Sequence, residues 1–489
     1  MSTVDRRGFL QLTGLVTGGV LLGGCNTAPS QEAREQAGTL RWWDQFQPIS
    51  SFEKKLFAAF AKEDGGMPVE YEVQNPENQG KALQLAWQSK QLPDVFTLVG
   101  VELPPARLEK QGWFSPIELD GEHEKLLPDS SRVEGKNVFD GKLYAMPIFS
   151  FRSHDTLNWF NKDLYAKADL DPDDPPTTYD DIRAGARAIQ KAGGDGISGW
   201  IAPLKMVLRL EMQILQMAAA AGAPISGGVP PDGGIDLRTG EYAYHTQPFV
   251  DAIEFWIAMK RDKVLFPAST SLDARTARAR WATGIAGTFF DGSYNIGVLN
   301  AEFKQFAGKV GVGSIPVPDD RQQVALCGVP ANAALSFWIS GKSKHVDAAS
   351  ALIAKFIEDD GQRGLAEAMD QPPLNSKVLA DADVHPTYER SVELFNEQVF
   401  NGPSLSVRNP KTIEVASAMN PVQPTLGEIV QGAVTGELAD WQGALKKLSD
   451  KLTAERDKTI KSVGSGVGVD DWRFADWKRG SDYVTKPGS

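Results

Sequence analysis

The feature that most constrains this chain is an ordered alternation of periodicities near its start. "TLRWWDQF" is a short β-prone run. "SSFEKKLFAAFAKE" follows, with Phe52, Leu56, Phe57 and Phe60 recurring on one helical face and with Ser50 and Glu53 at capping-box spacing. "VEYEV" then alternates with period two, and "GKALQLAWQSKQ" returns to helical spacing. It leads to "PDVFTLVG", a continuous apolar run of the kind a parallel strand shows when both its faces are covered. Strand, helix, strand, helix, strand argues for an α/β fold built on parallel sheet.

The alternation continues downstream. "PPTTYDDIRAGARAIQKAGG" has proline ahead of a helix, Thr178 and Asp181 at capping spacing and glycines at its end. "KMVLRLEMQILQMAAAAG" and "HTQPFVDAIEFWIAMKRD" add amphipathic helices, while "GIAGTFFDGSYNIGVL" reads as strand, turn and helix start. "KVGVGSIPVP" and "AALSFWIS" read as strands. Asn409 to about Lys461 is mostly helical, and the last stretch carries tryptophans that predict docking rather than disorder. A chain of 489 residues with 42% hydrophobic content has the length for two or three lobes.

The first 24 residues are set apart from this pattern. Arg6 and Arg7 precede a glycine-rich apolar stretch, Phe9 to Leu22, which is shorter than the ~20 residues a bilayer span needs. "DRRGFL" resembles a twin-arginine export motif, and Leu22-Gly23-Gly24-Cys25 resembles a lipobox, whose cysteine becomes the acylated first residue. Residues 25–38 then read as the acylated Cys25 and a polar tether. With Cys25 so used, Cys327 has no disulfide partner and reads as a buried apolar thiol. The whole chain carries a net charge of −12; losing Asp5, Arg6 and Arg7 with the leader takes it to −13. Such a charge disfavours phosphate backbones, so nucleic acid is set aside as a partner.

The order of these segments is similar to that of the extracellular solute-binding lipoproteins of bacterial carbohydrate ABC importers, the maltose-binding-like family. The resemblance is carried by "LRWWDQF", "SKQLPDVFTL", "GKLYAMPIFSF" with "WFNKDLY", "PPTTYDDI", "WATGIAGTFFDGSYNI", "VGSIPVP" and "SKHVDAASALIAKFIEDDGQRGLAEA", and it covers nearly the whole chain. The family often has Tyr-Asn where this chain has Phe160-Asn161. The resemblance implies a periplasmic-binding-protein-like α/β fold of two lobes with a ligand cleft between them. It places residues 39–148 with 334–379 in one lobe, 149–333 with 380–461 in the other, and 462–489 in a C-terminal tail. It further implies a monomer that closes on a sugar and delivers it to membrane permease subunits, with no cofactor or metal of its own.

A sugar presents an apolar C–H face and an edge of hydroxyls, so its site calls for aromatic planes beside carboxylates and amides. Trp43, Asp44 and Gln45 lie just past the first strand; of Trp42 and Trp43, alternation sends one into the core. Asp291 and Tyr294 sit at the turn in "FFDGSYN", where the family resemblance implies a stacking aromatic; Asp291 reads equally as a helix N-cap. Phe149 flanks the first crossing between lobes, Trp200 follows a short strand, Glu102 follows "DVFTLVGV" and Asn332 stands near the return crossing. The competing classes are a secreted glycosidase using paired carboxylates such as Asp44 with Asp291, and a surface adhesin. The five histidines, His123, His154, His245, His345 and His385, show no HExxH spacing, and there is no G-x-S-x-G elbow or Walker A loop.

Overall fold

The structure is a computed structural model and describes residues 38–485. Cys25 and the leader lie outside these residues. Two larger sheets organise the described chain. In the first, Leu40–Asp44 pairs in parallel with Val69–Val73 on one side and Val95–Phe96 on the other. Ser336–Ser340 then joins antiparallel to Val95–Phe96, and carries Phe114–Ser115 and Ala145–Pro147 antiparallel on its far side. In the second sheet Ala286–Asp291 runs parallel to Ser198–Ile201 and antiparallel to Leu157–Asn161, which in turn pairs antiparallel with Val310–Gly313. Both sheets are therefore mixed, where the apolar runs alone predict parallel pairing. The antiparallel strands are those that enter each sheet after the chain has crossed from the other.

Each sheet has its own core. Trp42 is fully buried in the first, within 4.5 Å of Phe337 and stacked on Phe356 at 5.8 Å between ring centres. The second is covered by the helices Val207–Ala220, Gln247–Arg261 and Leu426–Thr435, which bury Ile214, Trp256 and Ile429 together. Local chemistry explains the helix starts. Thr178 accepts from the Asp181 amide at 3.2 Å, as its spacing predicts. Ser50 and Glu53 form no capping box, because Ile49 occupies the cap position and the Ser50 hydroxyl donates to the Gln47 carbonyl instead. Glu53 is fully buried and turned toward Tyr71.

Three stretches carry the chain between the sheets, after Pro147, before Ser336 and after the helix Asp359–Glu367. They touch one another: the Ser150 amide donates to the Pro372 carbonyl at 2.8 Å, and Phe149 bridges Pro373. The halves also meet along their flanks. Arg275 donates to the Gln45 and Gln74 carbonyls at 3.2 and 2.9 Å, and Lys205 pairs with Glu77 at 3.1 Å. The C-terminal segment docks on the second half, with Trp472 and Phe474 buried and the Arg408 guanidinium over the Phe474 ring.

Candidate ligand cleft

The loops that follow the carboxyl ends of the parallel strands converge on one cavity of about 510 Å³, floored by the crossing stretches. Loops in this position are where open α/β sheets offer their binding crevice. One wall is set by a close backbone approach. A Cβ at Gly80 would lie 1.9 Å from the Gly100 carbonyl oxygen, so only glycine lets the helix Pro76–Gln88 sit against the turn that presents Val101 and Glu102.

The cavity wall includes Gln45, Glu102, Phe149, Tyr294 and Asn332 of the residues singled out in the sequence, and excludes Trp43, Asp44, Trp200 and Asp291. Gln45 is held at both ends: its amide donates to the Ala334 carbonyl at 2.6 Å and its oxygen accepts from Thr97, itself bonded by Gln79 at 2.8 Å. Glu102 is an exposed carboxylate at the rim. Phe149 packs edge-on against Phe46 with ring centres 5.3 Å apart. Asn332 accepts from the Ala334 amide at 3.0 Å and starts a short 3₁₀ turn.

Of these four corrections, three, Asp44, Trp200 and Asp291, are residues drawn inward at or near the ends of their strands. Asp44 stands two residues after Trp42 and four after Leu40, on the same buried face, with no exposed surface. It accepts from Trp42 Nε1 at 2.9 Å, the Phe46 amide at 2.9 Å and the Tyr71 hydroxyl at 3.3 Å. Trp43 lies on the opposite face, half-buried under the Arg41 guanidinium. Trp200 is core, 4.6 Å from Trp256 and 5.4 Å from Phe290 between ring centres. Asp291 caps no helix. It is buried and takes Arg278 Nη2 at 2.6 Å and Nε at 3.0 Å, with Arg209 at 3.4 Å. None of the chain's 12 tryptophans, all within the described residues, reaches the cavity. Cys327 is only partly buried and stands on the cavity wall, where burial pushes its thiol up to about 12.

The polar end of the cavity is built from residues that sequence reasoning missed: Arg209, Arg275, Arg278, Asp370 and Gln371. Arg275 and Arg278 stand three apart on the helix Ala274–Trp281, a spacing that puts both on one face and could have signalled them. Tyr294 lies among them. Its hydroxyl donates to Asp155 at 3.0 Å and accepts from Arg209, and the guanidinium carbons of Arg278 and Arg209 lie 5.2 and 5.5 Å from its ring centre. The ring thus already carries two cation–π contacts. Burial disfavours the Arg209 charge, but Tyr294, Asp155 and Asp291 around it hold its pKa above the ordinary value. Burial pushes Asp370 up to about 8, against the pull of Arg278. Among the described residues no three His, Cys, Asp or Glu side chains gather as a metal centre requires.

No curated protein sequence matches the chain, but solved structures do. A solute-binding protein of an ABC transporter from Thermotoga lettingae, bound with α-D-tagatose, is 19% identical, over 86% of this chain and 99% of that one, with a TM-score of 0.64. Maltose-bound MalE3 of T. maritima is 20% identical, over 85% and 98%, with a TM-score of 0.64. The sugar-binding protein MalE of Xanthomonas citri is 18% identical, over 88% and 100%, with a TM-score of 0.56. At these identities the likeness is one of fold, the two-lobed fold that the twin sheets and their crossings display. No helix among the described residues is long and apolar enough to cross a membrane. Residues 43–363, which supply both sheets and most of the cavity wall, match the bacterial extracellular solute-binding protein family, and the chain belongs to it.

Proposed function

We propose that the protein captures a sugar or oligosaccharide between its two halves and surrenders it chemically intact to the permease of an ABC importer. The observation that carries this reading is the cleft cavity at the meeting of the two sheets, walled by both halves and floored by the crossings. A ligand that touches both walls favours the closed arrangement, because only there are all its contacts made. That the guest is a sugar is supported by the tagatose and maltose carried by proteins of this fold. Glycoside hydrolysis by Asp44 with Asp291, the carboxylate pair named from the sequence, is disfavoured: both are buried, engaged by protein donors and absent from the cavity wall. In this reading Cys25 is acylated after export, acts as a monomer's tether, and keeps the binder close to its permease.

The test is incubation of the purified protein with α-D-tagatose, maltose and raffinose, following melting temperature and product together. A ligand-induced rise without cleavage is the expected result. Release of a cleaved sugar would replace the binder by an enzyme, and no response to any sugar would remove the ligand class.

A further inference from the structure

We infer that Asp370 and Gln371, on the stretch that crosses between the halves, form a polar anchor for adjacent hydroxyl groups of an uncharged sugar ring. This rests on the proposed capture of a sugar in the cleft and specifies how it is held. Both residues stand on the cavity wall, and they are only 3% and 6% exposed. Their backbones are pinned: the Ser293 hydroxyl donates to the Asp370 carbonyl at 2.6 Å and the Tyr388 hydroxyl to the Gln371 carbonyl at 2.9 Å. Met369, just before them, adopts φ +54°, the left-handed region that a residue with a side chain rarely occupies. The chain is thus held firmly in an unfavourable conformation that delivers these two side chains to the cavity.

The side chains themselves are unsatisfied. The Asp370 carboxyl makes no hydrogen bond or ion pair among the described residues and feels the more distant charges of Arg278 and Asp44, and Gln371 Oε1 is buried with no partner. Buried polar groups without partners are exceptional in folded proteins, because each keeps its desolvation cost. One such atom on Gln371, beside an acid with no bonded partner and on the wall of a cavity large enough for a small molecule, points to a partner that arrives from outside.

The chemistry of that partner follows from what the groups require. Even with its proton on, the Asp370 carboxyl keeps one oxygen that only accepts, as does Gln371 Oε1, and these need donors that a carboxylate or phosphate dianion at neutral pH does not supply. An ammonium would supply them, but it would also meet Arg209, Arg275 and Arg278 at the same end of the cavity. Neighbouring hydroxyls donate to the acid and amide while accepting from the guanidiniums and the Gln371 NH₂, and so match both sets.

The experiment is calorimetric titration of the purified protein with α-D-tagatose, maltose and raffinose, and with D-glucuronate and glucose 6-phosphate as anionic probes. For whichever neutral sugar binds, Asp370→Ala and Gln371→Ala are each expected to weaken affinity at least ~10-fold, the order a lost buried hydrogen bond gives. The ligand-free melting temperature of the isosteric Asp370→Asn variant is expected to stay level or rise, because no protein contact is lost. Unchanged affinity in both alanine variants would overturn the anchor while leaving sugar capture standing. Binding of the anionic probes alone, or a fall of several degrees for ligand-free Asp370→Asn, would overturn it as well. If no probe binds, the capture of a sugar fails and the anchor fails with it.

Discussion

Asp44 and Asp370 are both buried carboxyl groups close enough to influence each other, yet the protein treats them differently. Asp44 receives three donors, from Trp42, Phe46 and Tyr71, and burial pushes it only to about 6. Asp370 receives none and is pushed to about 8. Hydrogen bonds to a carboxylate stabilise its charged form and offset part of the desolvation that raises its pKa. The contrast separates two uses of an acidic side chain. One completed by its own chain is structure, and one left incomplete beside a cavity is reserved for a guest.

The largest break in this comparison comes from Asp291, a third buried carboxylate, whose satisfaction depends on arginine. Replacing its main partner, Arg278→Met, is expected to cost about 3–5 kcal/mol of unfolding free energy, the penalty for stranding a buried charge. Urea denaturation measures it, and a loss under ~1 kcal/mol would mean that Arg209 at 3.4 Å suffices.

Next comes Asp370 itself. Its folded pKa lies above the unfolded value of 3.8, so the folded chain holds a proton that the unfolded chain releases; that stabilisation is complete below about pH 4 and is lost as pH rises through about 8. Asp370→Asn removes the loss. It is expected to raise stability at pH 9 by about 2 kcal/mol and to leave pH 4 nearly unchanged, and a parallel shift at both pH values would contradict the assignment.

A smaller effect sharpens the other side of the contrast. Tyr71→Phe removes the single hydroxyl proton that lies between Glu53 and Asp44, and is expected to cost about 1–2 kcal/mol at neutral pH. It should also move Asp44 upward, toward the behaviour of Asp370, in a carboxyl titration followed by NMR. The smallest effect belongs to an exposed carboxylate. Lys446→Ala removes the partner of Asp450 on the helix Trp441–Val463, both more than half exposed, and is expected to change stability by less than ~0.5 kcal/mol. A larger change would show that partners matter to this protein's acids even in water.

How much of this was legible in the sequence depended on the range of the forces involved. The helix start at Thr178 and the opposed faces of Trp42 and Trp43 were readable because three or two residues decide them. The burial of Asp44 was also readable in principle, since alternation puts it on the face of Leu40 and Trp42. Expecting it at the cleft gave its charge more weight than its register. Trp200 offered less, for its strand is buried on both faces and no period distinguishes a cleft from a core. The spacing of Ser50 and Glu53 misled because Tyr71, eighteen residues on, claims the carboxylate that a capping box would use. Asp370 and Gln371 carried no local signal at all: contacts from Ser293 and Ser150, far away in the chain, hold their stretch in place.

The tryptophans have an optical consequence. With every indole of the described chain set back from the cavity, a bound guest touches none of them, and intrinsic emission becomes a poor gauge of occupancy. A change in that emission on adding a guest would report rearrangement of the surrounding packing instead of quenching by contact. The wall position of Phe149 then offers a place to install one indole within reach of a guest, whose response on binding would be read against the background of the native set.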